Sequence, residues 1–129
     1  MTDNSAKLLG LHHIQLAMPE GEEEAALKFY GAILGLTQVA KPPELAPRGG
    51  LWFRDEALEV HLGIEEPFTP ARKAHPAFLL EDGPALDEAA ARCTAAGFPV
   101  GWDEDLPGYR RFHTADGNGN RVEVLSPAG

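Results

Sequence analysis

The feature that most constrains this chain is an internal repeat. The stretch "LHHIQLAMP" opens a first half with His13, and "KAHPAFLLED" opens a second half with His75. Each runs into a helical stretch that stops at a glycine, and the interval from Gly35 to Gly97 is the same as that from His13 to His75. A repeat that keeps its phase from strand through helix implies a duplicated supersecondary unit, and two copies are too few for a solenoid. Glu123 follows on what reads as the last strand of the second half. Histidines at matching points of two modules, with a carboxylate behind them, suggest a metal held between the halves.

Periodicity fills in each half. Residues 11 to 18 alternate, with Ile14, Leu16 and Met18 on one face and His13, Gln15 and Ala17 on the other, as in a half-buried strand. A helix is expected from about Glu22 to Leu34: Ala26, Phe29, Tyr30, Ile33 and Leu34 keep helical spacing, and acidic residues crowd its N-terminal end. Strands are expected around 37–40, 50–54 and 58–64. The second half reads as a strand at 74–80, a helix opened by Pro84, and strands near 99–102, 110–114 and 121–125. The order is strand, helix, three strands, given twice, with module one at about 8–66 and module two at about 72–127 of a single domain spanning 1–129.

Composition narrows the function. A chain of 129 residues suits one domain. Its formal net charge of −9 argues against nucleic acid or an anionic membrane surface, since both call for clustered Lys and Arg. The polar start "MTDNSAK" lacks the charged-then-apolar pattern of a secretory leader, and no segment approaches roughly 18 apolar residues, so a cytoplasmic protein is expected. The single cysteine, Cys93, reads as a small core residue. The "EEPFTPARK" stretch is a connector, and "KPPELAPRGG" is a surface loop near a sheet edge because proline removes ladder donors. In "DGNGN", Gly117 and Asn118-Gly119 suit positive φ and a hairpin turn. A strand rather than a helix follows, so its G-x-G is no nucleotide fingerprint.

The segments "GLHHIQLAMP", "FYGAILGL" and "DGNGNRVEVL" resemble the signature segments of the vicinal oxygen chelate superfamily, which includes glyoxalase I, fosfomycin-resistance enzymes, bleomycin-resistance proteins and extradiol dioxygenases. The resemblance covers nearly the whole chain. It implies an α+β fold of two βαβββ modules forming a curved mixed sheet around a cavity with helices outside, and a homodimer. It also implies one divalent metal held by His13, His75 and Glu123, and it allows His13 to come from a different subunit than the other two. The usual Asp-Pro before the final turn is Asp116-Gly117 here, which loses some turn rigidity but touches no ligand.

Two imidazoles and a carboxylate suit Zn, Ni, Co, Mn or Fe(II), with positions left open for two neighbouring substrate oxygens. Around that centre, Gln15, Arg111 and His113 are expected to contact substrate, Arg111 by pairing with a carboxylate or phosphate. Glu59 and His61 share a face of their strand, and either could serve as a fourth ligand or general base. An ungapped repeat makes His61 the counterpart of Glu123. Aligning "LEV" with "VEV", and allowing a gap at the longer "DGNGN" turn, selects Glu59 instead, as does the glutamate that glyoxalase I relatives place in a similar "LEL" setting. His61 is preferred for its proton-transfer chemistry near neutral pH.

Two function classes follow. One is a metal-dependent lyase or isomerase of the glyoxalase kind, or an extradiol-type dioxygenase, acting on a small oxygen-rich or carbonyl substrate. The other is a metal-free, ligand-sequestering protein of the bleomycin-resistance type. The complete ligand set favours the enzyme. A fosfomycin transferase is disfavoured because the basic residues those enzymes use have no evident match near Asp103 to Leu106, and extradiol enzymes usually carry more than two modules.

Overall fold

The structure, a computed structural model, describes residues 6–56 and 58–129. Most of the polar start, with its lack of a leader pattern, lies outside the described residues. The first module runs β1 (Ile14–Met18), α1 (Glu23–Ala26, continuing in wider π-helical turns over Leu27–Ile33), β2 (Thr37–Val39), β3 (Leu51–Asp55) and β4 (Leu58–Ile64). The second runs β5 (Ala77–Leu79), α2 (Gly83–Ala95), β6 (Gly101–Trp102), β7 (Tyr109–Ala115) and β8 (Arg121–Pro127). Each module builds its own four-stranded mixed sheet, ordered β1-β4-β3-β2 and β5-β8-β7-β6, with the helices outside.

The two modules obey the same local chemistry. In both, the first strand pairs in parallel with the last, which a helical crossover makes possible. Both helices end at glycines in the left-handed region, Gly35 at φ +78° and Gly97 at φ +88°, where a Cβ would be strained. Asp82 caps α2 by accepting from the Ala85 N–H at 3.0 Å. The first helix departs from the α-helical expectation. The Leu34 N–H reaches back to the Phe29 carbonyl at 3.0 Å, one residue beyond the α-helical partner, and the Leu36 N–H reaches the Tyr30 carbonyl at 2.9 Å. Wider turns rotate neighbouring residues by less than an α-helix does, so Phe29 and Tyr30 are both fully buried although adjacent. β5 is shorter than the 74–80 expected, since Pro76 has no N–H to give the ladder. Leu58, at the start of its strand, is exposed.

One apolar core runs through both modules, from Met18, Phe29 and Phe53 to Leu86, Phe112 and Val124. Cys93 lies within it, and burial pushes its thiol pKa up, as suits a packing residue. The seam between modules is polar. The buried Asp116 carboxylate accepts from the Asn118 and Asn120 N–H groups on Oδ1, and from the Tyr30 hydroxyl at 2.7 Å and the Asn120 amide at 3.1 Å on Oδ2. Asn120 also donates to the Ala17 carbonyl and accepts from the Ala71 N–H. The final turn thus ties α1, β1 and the connector together. Of its glycines only Gly119 has a positive φ, +92°. Gly117 is there for space: a Cβ would lie 2.8 Å from that of Ala25 and 3.1 Å from its carbonyl oxygen.

Tyr30 gives this seam a pH signature. Burial and the neighbouring Asp116 charge hold the phenol pKa well above its ordinary value near 10. A raised folded pKa means the contribution is complete below about pH 10 and falls above it, because the unfolded chain ionises first. Tyr30→Phe should cost about 1–3 kcal/mol in urea unfolding at neutral pH and flatten the alkaline decline in stability. An alkaline decline as steep as the wild type's would contradict this coupling.

Candidate metal centre

Glu123 sits on β8, an interior strand of its sheet, with Ala77 beside it on β5 and His113 beside it on β7. His75, just ahead of β5, approaches diagonally. Its Nε2 lies 3.0 Å from Glu123 Oε1, and His113 Nε2 lies 3.4 Å from the same oxygen. One donor atom from each of His75, His113 and Glu123 falls within 4.8 Å of the others, the one such grouping of three or more ligand-type side chains among the described residues.

The protonation pattern fits a cation. His75 Nδ1 lies 2.8 Å from the Lys73 carbonyl, which can only accept, so Nδ1 carries a hydrogen. In the neutral ring Nε2 then bears a lone pair aimed at a carboxylate oxygen. Two acceptors in that contact need a proton or a metal between them, and a backbone carbonyl fixing the far nitrogen is what metal-ligating histidines commonly have. Burial, and then the charge of Arg121, lower the His113 pKa and keep its ring neutral. Burial opposes ionisation of Glu123, but hydrogen bonds, from His75 where its Nε2 carries the proton between them and from Arg111, outweigh it and bring its pKa below the ordinary value. Two imidazoles beside an ionised carboxylate are the donor set that Zn, Ni, Co, Mn or Fe(II) takes.

Of the other expected residues, Gln15, Glu59 and His61 lie in the first sheet and His13 at its edge. His13, just before β1, stacks on His61 at 4.0 Å between ring centroids, and Trp52 covers the opposite face of His61 at 3.9 Å. Glu59 Oε2 lies 2.8 Å from His61 Nε2, and Glu59 Oε1 accepts from Arg54 Nε at 3.1 Å. His13 therefore joins His61 rather than the cluster of His75, His113 and Glu123 within one chain. Gln15 pairs across the ladder with His61 and shares with His75 the lining of a cleft of about 390 Å³. A larger cleft, about 700 Å³, lies on the helix side against Glu22, Lys28 and Phe98, away from all the imidazoles. Arg111, expected to contact substrate, has its NH groups directed at Glu123 and Asp103.

The register decides between the two alignments of the fourth position. Gln15 pairs with His61, and Ala77 pairs with Glu123. The interval from Gln15 to Ala77 equals that from His61 to Glu123, and both equal the interval from His13 to His75. His61 is the structural counterpart of Glu123. The extra residue in the "DGNGN" turn is real, but β7 enters one residue early: Trp52 faces His61, whereas the residue facing Glu123 is His113 and not Thr114, on which the repeat interval from Trp52 would fall. The turn restores the phase instead of breaking it.

Trp52, Arg54 and Asp103 belong to the site without being singled out by the sequence. Trp52 and Arg54 become visible from their alternation on β3 once its register against β4 is known. Asp103 has no local signal.

The whole pattern has known counterparts. Residues 10–124 match the family model of the Glyoxalase/Bleomycin resistance protein/Dioxygenase superfamily. A glyoxalase family protein from Bacillus anthracis is 38% identical, with a TM-score of 0.87 over 95% of this chain and 98% of that one. A lactoylglutathione lyase from Agrobacterium tumefaciens is 22% identical, with a TM-score of 0.72 over 94% and 96% of the two chains. A variant of the fosfomycin resistance protein FosX from Listeria monocytogenes, complexed with Mn(II) and 1S,2S-dihydroxypropylphosphonic acid, is 18% identical, with a TM-score of 0.74 over 95% of each chain. No curated protein matches the chain.

The Glu59–His61 contact sets a measurable titration. Hydrogen bonds from His61 first, and then Arg54, lower the Glu59 pKa from 4.5 to about 2. A depressed folded pKa stabilises above the unfolded value, so this contribution should be complete above pH 4.5 and lost as pH falls toward about 2. Carbon-13 titration of the Glu59 carboxyl should show the low value, and His61→Phe should move it up. No movement would remove His61 as the cause.

Proposed function

The chain belongs to the Glyoxalase/Bleomycin resistance protein/Dioxygenase superfamily, and on that premise we propose that it is a metal-dependent, glyoxalase-like enzyme acting on a small oxygen-rich or carbonyl substrate as a lyase or isomerase. The observation that carries this reading is His75 Nε2 facing Glu123 Oε1 at 3.0 Å, with its Nδ1 held by the Lys73 carbonyl and His113 alongside. A divalent ion held there supplies Lewis acidity to adjacent substrate oxygens.

The remaining work falls to the chain's own groups. His13 and His61 stand in module one where His75 and Glu123 stand in module two, so each module carries one donor pair. A homodimer that sets the first sheet of one copy against the second sheet of the other brings the pairs together and makes His13 a ligand. His61 is the proton acceptor. Ionised Glu59 only accepts hydrogen bonds, so His61 Nε2 keeps its hydrogen and Nδ1 is free to take a proton from carbon next to a carbonyl. The Trp52 and His13 rings fix the plane in which it does so. Gln15, which lines one cleft with His75, is a candidate substrate contact.

Metal analysis of protein purified without added metal or chelator should find one divalent ion per site, and His75→Ala should abolish stoichiometric binding without unfolding the chain. Binding should weaken as pH falls through the histidine range, since protons compete for Nε2. Metal-loaded protein should catalyse solvent deuterium exchange at the α-carbon of suitable hydroxycarbonyl compounds, and His61→Ala should lose exchange while still folded. Tight ligand capture with no turnover under any of the five metals would instead favour a sequestering protein.

A further inference from the structure

Glu123 has two oxygens, and the protein treats them differently. Oε1 faces His75 Nε2 at 3.0 Å and His113 Nε2 at 3.4 Å, whereas Oε2 lies 3.3 Å from Arg111 NH1. Arg111 is itself held from behind. Its NH2 donates to Asp103 Oδ2 at 3.1 Å, and the Asp103 N–H donates to the Arg111 carbonyl at 3.1 Å, so backbone and side chain both join the two residues. Asp103 is fixed in turn, because its Oδ1 accepts from the Asp105 N–H at 3.0 Å. These contacts leave the guanidinium little freedom to turn toward a substrate anion.

We infer that Asp103 and Arg111 form a positioning pair that makes Glu123 a single-oxygen donor: Arg111 occupies Oε2 and leaves Oε1 alone to face the two imidazoles. This deepens the metal reading of the same site and rests on it. The physical reasons are three. A guanidinium is a rigid fork whose two ends can bind two carboxylates at once, which a lysine ammonium does less specifically. A carboxylate with both oxygens free can close on a cation in bidentate fashion and use up a coordination position that substrate needs. The arrangement also sacrifices a hydrogen bond, since Arg111 Nε is buried without a partner among the described residues. A guanidinium selected for stability alone would gain by satisfying that third donor.

Asp103 and Glu123 carry two negative charges, Arg111 returns one positive charge between them, and Arg121 acts on the same group from farther off. Asp103 keeps the necessary charge, because the Asp105 N–H first, and Arg111 and His113 with it, lower its pKa.

The test uses the full-length protein titrated with Mn(II) and Co(II) alone, in wild type, Arg111→Gln, Asp103→Asn, the double variant and Glu123→Gln. Arg111→Gln should weaken metal binding roughly 10–100-fold, the range typical of outer-shell partners. Asp103→Asn should weaken it less, and the double variant should be no worse than Arg111→Gln, because both act through one contact. With carbon-13-labelled glutamate, the gap between the two carboxylate stretching bands of Glu123 should narrow in Arg111→Gln as Oε2 also binds the ion, a change that a loss of stability would not produce. Unchanged affinity and unchanged bands in Arg111→Gln, where Glu123→Gln abolishes binding, overturn the proposal. If the wild type binds neither ion, the metal reading is what fails. The positioning claim is then decided by the metal-free nitrogen-15 spectrum: the His75 Nε2 signal should shift in Arg111→Gln as the carboxylate turns, and an unshifted signal rejects it.

Discussion

Asp116 gathers four hydrogen bonds onto one buried carboxylate, two from its own turn, one from the Asn120 amide and one from the Tyr30 hydroxyl of the other module. Everything else in the molecule depends on that contact. It fixes the turn that leads into β8, and β8 carries Glu123. Through Asn120 it also fixes the end of β1 and the connector that delivers His75. A buried carboxylate is destabilising unless its lone pairs are filled, so the turn, the first helix and the connector must dock together or not at all. The seam between the modules is thereby made specific, while the apolar core around it supplies most of the driving force.

Duplication explains why the chain carries two different donor pairs. Both modules present a residue ahead of the first strand and one on the last strand to the same face of a four-stranded sheet. In module two these are His75 and Glu123, with the His75 ring fixed by the Lys73 carbonyl and the carboxylate held ionised. In module one they are His13 and His61, stacked face to face, with Glu59 and Arg54 orienting the second ring. One pair has the composition of a metal grip and the other that of an imidazole held for proton transfer. The same scaffold position has thus diverged through the side chain it carries and the neighbours that tune it.

Much of this is legible in the sequence because it follows from local chemistry. The βαβββ order, the glycine stops, the buried Cys93 and the alternation that turns Gln15 and His61 to one face all come from short-range periodicity. What lies beyond reach is register. Nothing local shows that β7 enters one residue early and that the "DGNGN" turn restores the phase, so the choice between Glu59 and His61 rests on the strand pairings. The same holds for Trp52 against His61 and for Asp103 behind Arg111, which are contacts between strands. In sequence Arg111 reads as a substrate anchor because a free guanidinium in a cleft invites an anion, and its two carboxylate partners are contacts that only the fold shows. The wide turns of the first helix are hidden for a related reason: burying both Phe29 and Tyr30 is a demand of the core rather than of the helix.

The central claim is that a divalent cation belongs between His75 and Glu123, where an imidazole nitrogen and a carboxylate oxygen face each other at 3.0 Å. Anomalous diffraction from crystals soaked in Mn(II) or Co(II) tests it most directly. The account predicts one strong anomalous peak per site at bonding distance from His75 Nε2 and Glu123 Oε1, with Oε2 still held by Arg111. A peak elsewhere, or none while the His75 and Glu123 side chains keep their contact at 3.0 Å, would contradict it and leave an imidazolium–carboxylate pair in place of a metal centre.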